Sequence, residues 1–235
     1  MKTFGSFSRL VGLCASSALA SAIALAAPQT GSAQVREVRG SVMLDSAAAK
    51  VGDSAKPGST IFTGTDSKAA LFLGVNGPDV NVLENSRLSI DELSFDDAGV
   101  ETVVSTRLGL KEGKIQGNVK KTSSQSSYLV TTPTTTAAIR GTVYSVTAKG
   151  EVYVWDGCVD VAYRDPATGR SSSFNVCQGQ MFDPSIPGVV DIPPGTPKPP
   201  FVNVVPPTQL PVGPYPVISP IKTSSPPPPA PNTEG

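Results

Sequence analysis

Cys158-Val-Asp-Val-Ala-Tyr-Arg-Asp-Pro-Ala-Thr-Gly-Arg-Ser-Ser-Ser-Phe-Asn-Val-Cys177 reads as two strands around a tight turn. Asp165 can bond the backbone ahead of it, Pro166 presets its φ, and Gly169 tolerates a left-handed conformation. The turn centres the hairpin with Asp165 opposite Arg170, so partner numbers sum to 335 along the ladder. Val159 then faces Val176, Val161 faces Phe174 and Tyr163 faces Ser172, which makes one side apolar and leaves Asp160 and Asn175 on the other.

The same register sets Cys158 opposite Cys177, within the separation a disulfide spans. A disulfide is expected if the chain meets an oxidising compartment; the alternatives are two free thiols or a metal pair. Two cysteines without histidine do not complete a tetrahedral zinc site.

Outward from the hairpin, short β-branched or alternating runs separated by glycine, asparagine and proline predict strands at 38–44, 69–73, 80–83, 87–90, 102–110, 114–119, 128–131, 142–147, 152–155, 159–163 and 174–177. No stretch keeps a helical period with a cap. The expected fold class is all-β: one domain of short strands over 34–183, as layered sheets or a short β-solenoid, large enough to fold alone.

Both ends differ from this middle. Lys2 and Arg9 precede an apolar run from Leu10 to Ala27, and Gly31-Ser32-Ala33 offers a small-residue cleavage site, so residues 1–33 read as a signal peptide with the mature chain starting near Gln34. An uncleaved anchor helix is the alternative. Leu13 before Cys14 argues against a lipoprotein signal, and no later run is long enough to span a membrane. Of 23 prolines, 18 lie after Asp183, so 184–235 read as a disordered proline-rich tail sampling polyproline II. Pro211-Val-Gly-Pro214 could dock an aromatic groove or belong to a plain spacer. The expected location is periplasmic or extracellular.

Composition excludes several chemistries. Setting aside Lys2 and Arg9, 17 basic residues stand against 19 acidic ones, so no basic footprint for nucleic acid exists. No histidine is present, which removes Ser-His-Asp and Cys-His catalysis and histidine metal sites. Asp91, Glu92, Asp96 and Asp97 lack calcium-loop spacing and read as a solvated turn. No cofactor, metal or catalytic residue is expected.

Val38-Arg-Gly-Ser-Val42, Val51-Gly-Asp53 and Ile61-Phe-Thr-Gly-Thr-Asp-Ser-Lys-Ala-Ala-Leu-Phe-Leu73 are similar to the opening of the FecR domain. Leu129-Val-Thr-Thr-Pro133 and Ala138-Ile-Arg-Gly-Thr-Val-Tyr-Ser-Val146 resemble that family's threonine-proline strand and Arg-Gly-Thr element. Val152-Tyr-Val-Trp-Asp-Gly157 with Val159-Asp-Val161 resembles its paired strand with a central glycine, and Gly179-Gln180 its closing turn. The motif residues are Thr132, Pro133, Arg140, Gly141, Thr142 and Gly157. Gly141 is expected where the backbone bends, and Arg140 either recognises a partner or clamps nearby carbonyls and carboxylates.

The resemblance implies a small all-β unit in the bacterial envelope. Members with full signalling architecture add a cytoplasmic sigma-factor-controlling segment, a membrane helix and a further folded portion. This chain departs from them at both ends, so direct anti-sigma activity is not carried over. The expected function is a non-catalytic binding or sensing module for an envelope protein or polymer of open identity. The alternative is a structural or surface-attached envelope component tethered by the tail.

Overall fold

The computed structural model describes residues 28–201 apart from 78, 121 and 122. The expected leader up to residue 27 and the tail from 202 onward lie outside the described residues. A first compact unit ends at Pro199 and contains all the described strands.

Among the described residues seventeen strands follow one another: β1 (Gln29–Thr30), β2 (Ala33–Arg39), β3 (Val42–Leu44), β4 (Ala47–Ala48), β5 (Ser54–Ala55), β6 (Thr60–Thr63), β7 (Lys68–Phe72), β8 (Asp79–Val82), β9 (Arg87–Asp96), β10 (Val103–Glu112), β11 (Lys114–Asn118), β12 (Ser127–Thr131), β13 (Thr135–Thr147), β14 (Val152–Arg164), β15 (Ser171–Cys177), β16 (Gln180–Asp183) and β17 (Gly188–Asp191). The fold is all-β, a sheet curled into a half-barrel.

The pairings fork at β13. Its first half pairs with β12, which runs parallel to β10; β10 pairs with β9, and β9 with β6 and β1. Its second half pairs with β11, followed by β8, β7 and β2. On its other edge β13 pairs with β14, which carries β15 and β16. Alternation buries one side of each limb, and Leu88, Ile90, Leu108 and Leu110 of one limb share a single core with Val35, Leu71, Val82 and Ile115 of the other. The all-β class is as expected, in the form of one curled sheet.

The hairpin has the expected register at every pair from Cys158↔Cys177 to Arg164↔Ser171. Asp165 Oδ1 accepts hydrogen bonds from the amides of Ala167 and Thr168, at 2.8 and 3.3 Å, and the Asp165 amide donates to the Arg170 carbonyl. Val159, Val161 and Val176 are buried, while the Asn175 amide donates to Asp160 on the exposed side. Cys158 and Cys177 form a disulfide.

Paired strand extends past both expected domain boundaries. Gly188-Val-Val-Asp191 pairs along β16 beyond Asp183, because Pro187 and Pro193 flank the run without removing a donor inside it. At the other end, Gln29 and Thr30 pair with β9 upstream of Gln34.

Candidate functional site

Thr132-Pro-Thr-Thr135 turns the chain from β12 into β13. The Thr132 hydroxyl donates to the Thr135 carbonyl at 3.1 Å and accepts from the Thr135 amide at 3.0 Å, and the Thr132 amide bonds the same carbonyl. Pro133 follows the capping threonine, where its fixed φ suits the turn. This half of the family motif builds a corner.

The other half builds a pair of bulges. Arg140 pairs with Cys158 and Val143 with Asp156, so Gly141 and Thr142 together face Gly157. Gly141 and Gly157 both have left-handed φ, +64° and +79°. A Cβ at Gly157 would approach the Gly141 carbonyl oxygen to 2.6 Å, so no side chain fits there. Thr142 is buried at 1% exposure, and its hydroxyl has no hydrogen-bond partner among the described residues.

One step further, Tyr144 pairs with Val154, which leaves Trp155 as an extra residue on β14. The second bulge restores the register lost at the first. On the outer side Trp155 stacks with Tyr153, ring centroids 5.7 Å apart and planes 16° from parallel. The Lys114 ammonium lies 5.0 Å from the centre of the Tyr153 ring. Burial, with the Glu151 and Asp183 carboxylates, pushes the Tyr153 phenol above its ordinary value, so it remains a hydrogen-bond donor. Asp156, next along β14, and Arg140, opposite Cys158 across the first bulge, are both exposed, and Arg140 forms no ion pair among the described residues.

In the sequence Tyr153 and Trp155 stand out only as strand residues. Their spacing of two on a strand, just ahead of Asp156-Gly157, was the available signal for an aromatic pair on one face.

The acidic cluster does not converge. Asp91 accepts from the Ser89 hydroxyl, Glu92 lies 3.9 Å from Arg107, Asp96 accepts from the Ala98 amide and Asp97 from Gln29. Among the described residues, no group of three or more potential ligands is placed to hold a metal ion.

Residues 59–160 match the family profile described as FecR protein. Curated proteins yield no match. Two crystal structures of a candidate anti-sigma factor from Parabacteroides distasonis ATCC 8503, at 2.50 and 1.65 Å resolution, align at 13% identity with TM-scores of 0.42 and 0.41. Each alignment covers 57% of this chain and 58% of the other, so this chain spans little more than half the length of those proteins. Corner, bulges and aromatic ladder nearly all fall inside the profile match, and over residues 59–160 the chain carries a FecR domain.

Proposed function

We propose that the chain is a non-catalytic binding or sensing module of the bacterial envelope, contacting an envelope protein or polymer through the outer side of β13 and β14. The paired bulges carry this reading. Irregularities that re-aim side chains favour recognition sites, and here they lie between the Tyr153–Trp155 stack on β14 and the exposed Arg140 on the paired strand. Aromatic and arginine side chains are the groups that contribute most to contact surfaces. The Cys158–Cys177 disulfide agrees with an oxidising compartment. Among the described residues, no helix is long and apolar enough to cross a membrane.

The test is capture from a solubilised envelope extract by the purified chain, alongside Trp155→Ala, Tyr153→Ala and Arg140→Ala variants. Removing a central aromatic anchor is expected to weaken capture by about 2 kcal/mol, roughly 30-fold. Each variant should melt within a few degrees of the wild type, since all three side chains lie on the outer side. Capture unchanged in all three variants would move the contact surface elsewhere. Turnover of an envelope glycan, abolished by one carboxylate substitution, would replace the reading with an enzyme.

A further inference from the structure

Besides the expected cleavage site at Gly31-Ser-Ala33, the export signal offers a second small-residue site at Ala24-Leu-Ala26. The fold distinguishes them. Gln29 and Thr30 pair with Phe95 and Ser94 of β9, and the Gly31 amide donates to the Leu93 carbonyl at 2.8 Å. The Gln29 side-chain amide reaches Asp97 at 3.0 Å. Two residues later the chain has crossed to the opposite limb, where Ala33 pairs with Ala55 and is fully buried. Residues 29–33 thus form a strap joining the limbs at the end away from the fork.

A cut after Ala33 would remove the strap, expose a buried position of the core and create a charged amine next to it. A cut after Ala26 removes none of these contacts. We infer that leader peptidase hydrolyses the Ala26–Ala27 bond, so that the mature chain begins Ala27-Pro28-Gln29 and keeps the strap. Water supplies the hydroxyl to the Ala26 carboxylate and the proton to the Ala27 amine, and no other reactant is needed.

The inference rests on the chain being exported, and the experiment separates the two. The full chain is produced in a Gram-negative host, fractionated, and the mature species read by amino-terminal sequencing and intact mass. A chain starting at Ala27 is expected, and Ala26→Tyr should abolish that species. A start at Gln34 overturns the inference while leaving export standing. Intact chain in the envelope fraction overturns cleavage alone, and intact chain confined to the cytosol overturns cleavage and export together.

Discussion

Thr142 and the pair Tyr128 and Tyr144 show how differently buried hydroxyls can be used. The Thr142 hydroxyl is buried without a partner among the described residues, a state that costs roughly 1–3 kcal/mol. Thr142→Val keeps the shape and removes the unpaired group, so the denaturation midpoint should stay level or rise. A fall equivalent to more than about 1 kcal/mol would mean that the hydroxyl is engaged. Tyr128 and Tyr144 instead bond each other, oxygen to oxygen at 3.0 Å, with Tyr144 packed over Gly117. Replacing either by Phe strands the other hydroxyl and should cost about 1–3 kcal/mol, whereas the double replacement should cost less than the sum. Burial pushes both phenols above their ordinary value. The unfolded chain therefore loses these protons first, and stability is fully present below about pH 10 and falls as pH rises beyond it. The double Phe variant should flatten that alkaline fall in a melting series. None of this was legible in the sequence, because only the fold reveals which tyrosines meet.

The β14–β15 hairpin was legible because its turn chemistry is local: one Asp, one Pro and one Gly fix the register, and arithmetic carries it to the cysteines. Its disulfide joins residues 19 apart in the chain and should contribute on the order of 3 kcal/mol. Replacing both cysteines by Ser should lower the urea midpoint correspondingly, and an unchanged midpoint would show that the hydrogen-bonded turn alone holds the strands. The bulges were not legible. Gly141 and Gly157 read as breaks, so β13 and β14 appeared as shorter runs, whereas each is one strand of 13 residues passing through its irregularity. A glycine that interrupts a pattern and one that bends a continuing strand look alike until the partner strand is known.

Across the molecule, class came from punctuation and alternation, and the FecR resemblance from motifs whose main work here is architectural. The fork could not be foreseen, since pairings such as β1 with β9 or β2 with β7 depend on contacts far apart in the chain. If the proline-rich end is a tether, deleting residues 202–235 should leave the melting temperature and partner capture unchanged while the protein is lost from the envelope fraction. Unchanged localisation would remove the tether. The fork also has a temporal consequence. Its trunk, β13 and β14, is synthesised after every limb strand, so a polypeptide entering a compartment amino end first must wait with a dozen short strands exposing open edges. Until the 135–164 segment arrives the two limbs are joined only through the 29–33 strap, so holding chaperones are expected to raise the yield.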